Sequence, residues 1–241
     1  MIRPSVGGED SAVARTLQRG LAPDEVPTLD GLEIAGHYRA GGIGDVGGDW
    51  YDVLDLTPDG VAIVMGDVAG QGIAAATTMG QLRYATRAYL LDDREPSAVL
   101  GRLNRLVHWL LPGVVATVVI GIVSPDRTRV AVASAGHPPV LLLGRDGARF
   151  PDVAQGPALG LQAEVAYAQT LVDLSPGEGL LLYTDGLVER RGESIDTGFA
   201  RLAQTATRHR GDPQLLDRVM ESVPGVSAGD DLAVLAVCRQ V

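Results

Sequence analysis

Aspartates that lie next to apolar runs are the residues of this chain best suited to chemistry. Residues 61–65 are all apolar, three of them are β-branched, and Gly66, Asp67 and the glycine-rich turn 70–72 follow. Such a run predicts a strand buried on both faces. A carboxylate at the end of a buried strand is costly unless a positive group meets it, and the glycines let the backbone approach a ligand closely. A cation or a phosphate would therefore bind at this turn.

Three other segments place aspartates beside a glycine and next to an apolar run. They are Asp49 after two glycines, Asp185 before one, and the pair Asp230 and Asp231 after another. A single Asp-Gly pair at a strand end is usually only a turn. Four carboxylate-bearing segments gathered at one sheet edge would repel one another, and a shared divalent cation would relieve that repulsion. The convergence of the four segments is therefore a hypothesis that the structure can test.

The ligand chemistry of these aspartates favours Mg²⁺ or Mn²⁺. No His or Cys stands beside them, which argues against Zn²⁺, and the absence of an Asp-x-Asp-x-Asp-Gly loop excludes a calcium site of the EF-hand type. Several clustered carboxylates suit two ions about 3.5–4 Å apart, which activate a water and stabilise an in-line displacement at phosphorus. Two hard divalent cations and a phosphate ester are thus the chemistry that the pattern indicates.

The elements that must position these aspartates alternate between strands and helix pairs. Strands are predicted at residues 32–40, 49–56, 60–67, 114–123, 129–135, 140–143, 166–174, 179–184 and 231–239. Helices are predicted at residues 11–20, 72–91, 97–111, 197–208 and 213–223, and residues 144–162 are predicted to form a loop or small flap. This order predicts antiparallel sheets flanked by helices, an α+β layered domain.

Composition limits the compartment and the partners. The 241 residues are 46% hydrophobic with a net charge of −10, and no basic stripe exists, so a nucleic-acid partner is excluded. The single cysteine, Cys238, excludes a disulfide framework and fits a reducing compartment. With no signal peptide and no apolar run of about 20 residues, we expect a cytoplasmic protein without a membrane partner. We divide the chain into residues 1–30 (tail, short helix and linker) and a domain of residues 31–241.

Five motifs occur in the order found in the SpoIIE/RsbU-like bacterial phosphatases, and the chain resembles that family. The motifs are GGDWYD at 47–52, GDVAGQG at 66–72, AGHPP at 135–139, TDGLVE at 184–189 and DD at 230–231. The family belongs to the metal-dependent, protein phosphatase 2C-type serine/threonine phosphatases, and the resemblance runs from about residue 17 to the C-terminus. It implies a four-layer α-β-β-α sandwich of two antiparallel sheets with a helix pair on each outer face.

The resemblance also implies a role for each aspartate. Asp67 resembles the carboxylate that bridges two metal ions, and the carbonyl of Val68 resembles the backbone ligand beside it. Asp49 resembles the acidic residue that holds one ion directly or through water, which makes Asp67 and Asp49 the catalytic pair. Asp185 and Asp230 resemble the two remaining carboxylate ligands.

Some positions depart from the family pattern. Asp231 stands where related enzymes often carry Asn, so it ranks second to Asp230 as a ligand. Gln71 stands where many relatives have Lys, and residues 39–45 differ from the usual Pro-Ala approach to the first aspartate. Since Gln71 and residues 39–45 include no proposed ligand, those departures concern substrate contacts more than catalysis.

The function that the resemblance implies is hydrolysis of phosphoserine or phosphothreonine with two Mn²⁺ or Mg²⁺ ions. The implied substrate is a phosphorylated anti-sigma-factor antagonist in a bacterial stress or developmental switch. Two alternatives stay open: a non-catalytic regulatory binding domain of the same fold, and a small-molecule metal phosphohydrolase. The predicted helix at 11–20 is either a stub or a homodimer contact.

Four further features have competing interpretations. Residues 42–47 match G-x-G-x-x-G, but a strand rather than a helix is predicted to follow, which argues against dinucleotide binding. His137, before two prolines, is expected to pin a turn rather than act as an acid. Arg39 could meet the phosphate, although a solvated strand arginine is the expected role. Cys238 lies in an apolar strand, which argues against a thiolate nucleophile.

Overall fold

The computed structural model describes residues 26–39, 47–222 and 231–241. Within these ranges the strands are β1 (Leu32–Arg39), β2 (Asp49–Asp55), β3 (Val61–Val68), β4 (Ala116–Val123), β5 (Arg129–Ala135), β6 (Leu141–Gly144), β7 (Gly147–Arg149), β8 (Gln155–Gly156), β9 (Thr170–Asp173), β10 (Gly179–Tyr183) and β11 (Leu232–Arg239). The helices are α1 (Gly72–Asp92), α2 (Pro96–Leu110), α3 (Ile195–Arg208) and α4 (Leu215–Glu221), and a 3₁₀ turn spans Asp185–Leu187.

The strands form two sheets. The first sheet has the order β1-β11-β10-β6-β7, and the second has the order β2-β3-β4-β5-β8 with β9 also paired to β5. Neighbouring strands are antiparallel except for the short parallel pair β5–β8. The edge strand β1 alternates between half-buried and exposed residues after the buried Leu32, whereas β3 in the middle of its sheet is almost wholly buried. The difference arises because a strand covered on one face alternates in exposure, whereas a strand covered on both faces, such as β3, is buried throughout.

Side chains along β3 show how the layers are stacked. Ile63 and Met65 pack in the core between the two sheets, whereas Ala62 and Val64 pack against the layer of α1 and α2. Asp67 continues the period of two begun by Ile63 and Met65, so it belongs to the face turned toward the other sheet. The aspartate at the end of β3 therefore lies at one end of the inter-sheet core.

A third apolar cluster completes the stack. It joins Leu181 and Tyr183 of β10 to Leu202 of α3 and Leu216 of α4, on the outer face of the first sheet. The molecule is thus a four-layer α-β-β-α sandwich, which confirms the fold class expected from the sequence. None of the helices in the described ranges is both long enough and apolar enough to cross a bilayer.

A buried ion-pair cluster fastens α1 to β2. The Oδ1 atom of Asp52 accepts hydrogen bonds from Nε and Nη2 of Arg83 at 3.0 and 2.8 Å, and Arg87 donates from Nε to Oδ2 at 2.8 Å. The side chains of Asp52 and Arg83 are only 3% and 2% exposed. Asp52 lies three residues after Asp49 on the same strand, so this cluster fixes the strand that carries one of the predicted ligands.

Most predicted elements are present, with boundaries that differ by a few residues. The main difference is that residues 144–162 contain β7 and β8, which the sequence analysis treated as loop. These strands are only three and two residues long and pair with partners that local sequence does not indicate. The predicted helix at 11–20 and the linker up to residue 25 lie outside the described residues.

Candidate metal centre

Asp49 and Asp67 lie directly opposite each other where β2 pairs with β3. Asp49 is 4% exposed, and burial first and the neighbouring charge of Asp67 second raise its pKa well above the usual value. Burial and then the charge of Asp185 raise the pKa of Asp67 to about 6. The two carboxyl groups thus lie close together at the end of the inter-sheet core, where their negative charges are unfavourable.

One oxygen of this pair has no hydrogen-bond partner. The Oδ2 atom of Asp49 is buried and makes no hydrogen bond, whereas the carboxyl group interacts through hydrogen bonds with the side chains of Thr184 and Asp67. Thr184 is itself held between strands, since its hydroxyl oxygen accepts from the amide of Ala233 at 2.9 Å. A buried acceptor without a donor indicates a missing ligand.

Asp231, directly before β11 of the first sheet, lies beside Asp49 and Asp67. Its Oδ2 atom accepts a hydrogen bond from the amide of Gly48 at 2.9 Å. A Cβ atom at Gly47 would lie 1.4 Å from that oxygen, so a side chain there could not be accommodated without moving the carboxylate. The charge of Asp231 also contributes to the raised pKa values of Asp49 and Asp67. The two glycines before Asp49 therefore permit the contact between the sheets.

Val68 lies beside this contact. Its amide donates to the carbonyl of Gly48 at 3.1 Å, and a Cβ atom at Gly48 would lie 2.4 Å from the carbonyl oxygen of Val68. The close approach of the two backbones thus requires glycine at position 48. The structure places Val68 next to Asp67 and Gly48, where the family resemblance put a backbone ligand.

Asp185 lies in the 3₁₀ turn that follows β10 and is exposed. The amide of Glu189 donates to the carbonyl of Asp185 at 2.8 Å, so the two acidic residues are one helical turn apart. The charges of both residues raise the pKa of Asp67. Glu189 was not proposed from the sequence, although it ends the TDGLVE motif four residues after Asp185. A spacing of four residues, one helical turn, was the sequence signal that could have placed Glu189 beside Asp185.

Tyr38 is a second residue that sequence reasoning missed. It lies near the end of β1, opposite Ala233 of β11. Burial first, and then the charges of Asp231 and Asp49, raise the pKa of its phenol. The group therefore stays protonated and is available as a donor near the carboxylates. Sequence patterns predicted only a strand at residues 32–40, and nothing local to that strand indicates what Tyr38 faces.

The residues present fit a divalent cation. Within the described ranges, which omit Asp230, no group of three or more His, Cys, Asp or Glu side chains is arranged to hold an ion. The fit instead rests on the buried, partnerless oxygen of Asp49 and on the mutual repulsion of Asp49 and Asp67. Carboxylate oxygens around such a position are the ligands that Mg²⁺ and Mn²⁺ prefer.

His137 joins the two sheets beside this centre. Its Nδ1 atom lies 2.8 Å from the hydroxyl of Thr117, and its Nε2 atom lies 3.1 Å from the carbonyl oxygen of Tyr183. Burial lowers its pKa to about 3, so the ring is neutral. Nε2 then donates to Tyr183, and Nδ1 accepts from Thr117. The ring is hydrogen-bonded, as predicted, but its bonds link the two sheets rather than pin its own turn.

The other candidates from the sequence are Arg39, Cys238 and the glycine motif at residues 42–47. Arg39 is exposed at the end of β1, opposite Leu232. Burial raises the pKa of the Cys238 thiol to about 11, which agrees with an inert thiol. Residues 42–46 of the glycine motif are not described, but the strand expected after it is β2, which confirms the argument against a dinucleotide fold.

Comparison with known proteins gives consistent matches. A family model described as stage II sporulation protein E (SpoIIE) matches residues 57–240. Phosphoserine phosphatase RsbU of Bacillus subtilis (strain 168) is 29% identical over 184 residues, covering 76% of this chain and 54% of RsbU. The RsbU and RsbW domains of Rv1364c from Mycobacterium tuberculosis have a TM-score of 0.79 at 29% identity, covering 91% of this chain and 62% of that chain.

A more distant structure shares the fold. The catalytic domain of the serine/threonine protein phosphatase PstP, solved with two manganese ions, has a TM-score of 0.58 at 19% identity, covering 87% of this chain and 99% of that chain. The present chain spans about half the length of the curated relatives it matches, from 40% to 54%.

Proposed function

The chain belongs to the SpoIIE family, and from that premise we propose that it is a metal-dependent phosphatase of phosphoserine or phosphothreonine in proteins. The observation that carries the proposal is the pair Asp49 and Asp67, opposite each other at the end of the inter-sheet core with one buried oxygen lacking a partner. A buried like-charge pair of this kind is typical of a functional site rather than of a stable core.

The proposed cofactors are two Mn²⁺ or Mg²⁺ ions. Six groups would hold them: the carbonyl of Val68 and the carboxylates of Asp49, Asp67, Asp185, Asp230 and Asp231. Bound divalent ions supply Lewis acidity toward phosphate oxygens and lower the pKa of a water. The two manganese ions of PstP, in the same fold, support this choice of ion. Asp230 lies outside the described residues, and its role rests on the resemblance alone.

Contacts among the protein's own residues would fix the positions of the carboxylates. The side chain of Thr184 interacts with the carboxyl group of Asp49, and the buried Oδ2 atom of Asp49, which has no hydrogen-bond partner, would be available to an ion. Asp231 holds the Gly48 amide, so the two sheets meet at the site. The neutral His137 ring adds a second link between the sheets. Such fixed geometry is what orients a phosphate ester for attack.

The proposed substrate is a phosphorylated anti-sigma-factor antagonist. RsbU is named a phosphoserine phosphatase, and Rv1364c joins RsbU and RsbW domains in one protein, which supports a substrate in such a regulatory pathway. A cytoplasmic location, a domain that begins at residue 31, and dimer contacts through the helix predicted at 11–20 complete the proposal.

A substrate comparison tests this proposal. Phosphate release would be measured from a phosphoserine peptide and from nucleoside mono- and triphosphates, each with Mn²⁺, Mg²⁺ or EDTA. We expect metal-dependent release from the peptide and little from the nucleotides. Nucleotide turnover that exceeds peptide turnover would instead favour a small-molecule phosphohydrolase. A protein that stays inactive with every metal and substrate would favour a non-catalytic binding domain.

A further inference from the structure

Apolar side chains are exposed at the end of α2. Trp109 and Leu110 in its last turn are each 72% exposed, and Leu161 in the loop after β8 is 60% exposed. Together with the exposed Arg105 and His108 they form a surface that we name the α2 rim. Large apolar side chains that are exposed next to one another are typical of an interaction surface, because a soluble protein rarely leaves such a patch in contact with water.

Hydrogen bonds fix Leu161 against the helix. The buried Asn104 donates from Nδ2 to the carbonyl of Gln162 at 2.9 Å and accepts from the amide of Gly160 at 3.0 Å. His108 lies one helical turn after Asn104, so it is a neighbour of this loop. A Cβ atom at Gly160 would lie 2.1 Å from the carbonyl oxygen of Val114, which shows how tightly the loop is seated. The rim is therefore a preformed surface.

The same loop connects the rim to the metal centre. Val68 pairs with Ala116 at the start of β4, and Ala116 pairs in turn with Leu159. Neighbouring strands are about 4.8 Å apart, so Leu159 lies roughly 10 Å from Val68. Leu161 is two residues farther along the chain, which adds roughly 7 Å at most. The rim thus begins within about 17 Å of the carboxylates.

We propose that the α2 rim docks the folded phosphoprotein substrate whose phosphoserine enters the metal centre. This inference rests on the proposed function. An ordinary protein interface covers roughly 800 Å² on each partner, which corresponds to a radius of roughly 16 Å. Leu161, within about 17 Å of the carboxylates, therefore lies at about the edge of a folded substrate centred on them. An aryl phosphate, or a peptide with no more than about three residues on either side of the phosphoserine, does not extend that far.

Charge on α2 specifies the kind of substrate surface. Residues 96–113 contain two arginines and one histidine but no aspartate or glutamate, in a chain with a net charge of −10. Arg102 is paired with Asp93, so Arg105 is the arginine that α2 contributes to the rim. The rim is therefore apolar with one arginine, and it complements a substrate face that carries an acidic group beside an apolar patch. Tryptophan and arginine are also the residues that most often dominate binding energy in interfaces.

Two variants and a matched control test this inference. The variants are Trp109→Ala combined with Leu161→Ala, and Arg105→Glu. The control is Leu91→Ala, which removes a leucine that is 66% exposed in the last turn of α1, at the opposite end of that helix from the metal centre. For each protein, kcat/KM would be measured on a folded anti-sigma-factor antagonist phosphorylated on serine, on a peptide with its phosphoserine segment, and on an aryl phosphate.

We expect the rim variants to lose about tenfold or more in kcat/KM on the folded phosphoprotein, mainly through KM, and to keep wild-type rates on the peptide and the aryl phosphate. The control should match wild type on all three substrates. Equal losses on every substrate, or no loss on the folded phosphoprotein, would overturn the inference.

A binding measurement separates this inference from the proposed activity. The dissociation constant of the same phosphoprotein for the Asp67→Asn protein, with and without the rim substitutions, requires no turnover. Weaker binding caused by the rim substitutions supports the rim even if catalysis is absent. No detectable binding, or a molar mass that changes with the rim substitutions, would overturn it, the latter by assigning the rim to a second copy of the chain.

Discussion

Asp49 and Asp67 place two carboxyl groups against each other at a buried position. Burial is the largest cause of the raised pKa of each residue, and neighbouring carboxylates add to it. The folded protein without ions is therefore destabilised by this pair at neutral pH. Divalent ions would remove that destabilisation, so ion binding and folding stability should be coupled.

Asp67→Asn should raise the melting temperature of the EDTA-treated protein at pH 7.5. The pKa of Asp67 is raised to about 6, above its unfolded value, so the folded state holds the proton more tightly. The resulting stability is present below about pH 4 and is lost as the pH rises through 6. Asn removes the charge, which corresponds to an effect on the order of 2–3 kcal/mol. Thermal melts at several pH values would measure it.

Asp126→Asn is the matched control with the opposite sign. Hydrogen bonds from Ser124 and Thr128 lower the pKa of Asp126 to about 2, so its carboxylate stabilises the fold above about pH 4. This variant should melt at a lower temperature than wild type at pH 7.5. An Asp67→Asn protein that melts below wild type at pH 7.5 would contradict the interpretation of the carboxylate pair.

His137→Phe should lower stability without changing the pH dependence of activity. The pKa of His137 is lowered to about 3 by burial, so its protonation state does not change between pH 5 and 9. The substitution leaves the carbonyl of Tyr183 without its donor, which costs about 1–3 kcal/mol. Urea unfolding and a pH–rate profile would measure the two effects. A limb of the profile that disappears in this variant would assign His137 to acid–base catalysis.

At the scale of elements, helix α1 depends on its ion pairs with strand β2. Arg83→Ala leaves the buried carboxylate of Asp52 with less charge compensation, and breaking a buried pair typically costs about 3–5 kcal/mol. Arg94→Ala is the control, because its pair with Asp59 is largely exposed and such pairs contribute about 0–1 kcal/mol. Unfolding free energies would be compared in urea. Equal losses in the two variants would show that burial of the Asp52 cluster adds nothing.

Local sequence patterns predicted the strands and helices, but they could not predict which distant segments pair. The apolar runs of β3 and β10 and the glycines beside Asp49 and Asp67 are local signals, so the strands and the two facing aspartates could be located. The approach of Glu189 and Tyr38 to these aspartates depends on how β1, β10 and β11 pair. The Asp52–Arg83 contact spans 31 residues and likewise has no local signal.

At the scale of the whole molecule, residues ahead of the proposed domain start at residue 31 also contact the core. Val26 and Leu29 pack against the inter-sheet core, although the sequence analysis assigned them to a linker. A chain without residues 1–25 keeps these contacts and is the reference for the test. A chain without residues 1–30 loses both contacts and should melt a few degrees below that reference, because full burial of a Val or Leu contributes about 1.5–3 kcal/mol and these two side chains are partly buried. Equal melting temperatures would support a domain that begins at residue 31.

The four-layer stack explains why one end of the molecule carries the chemistry. The two sheets bury apolar residues along most of their length, and Asp49, Asp67 and Asp231 collect where the inter-sheet core ends. The helices on the outer faces are tied to this end, α1 by the Asp52 cluster and α2 by the loop that holds Leu161. Ions, phosphoserine and a docked protein would thus meet at one end of the sandwich.

The most direct test is a manganese titration of aryl phosphate hydrolysis by the wild type and Asp67→Asn proteins after EDTA treatment. The wild type should be inactive without metal and should gain saturable activity as Mn²⁺ is added. Asp67→Asn, with an unchanged circular dichroism spectrum, should lose at least about 100-fold in turnover at every Mn²⁺ concentration. Near-normal turnover by Asp67→Asn would contradict the assignment of the Asp49–Asp67 pair as the metal centre.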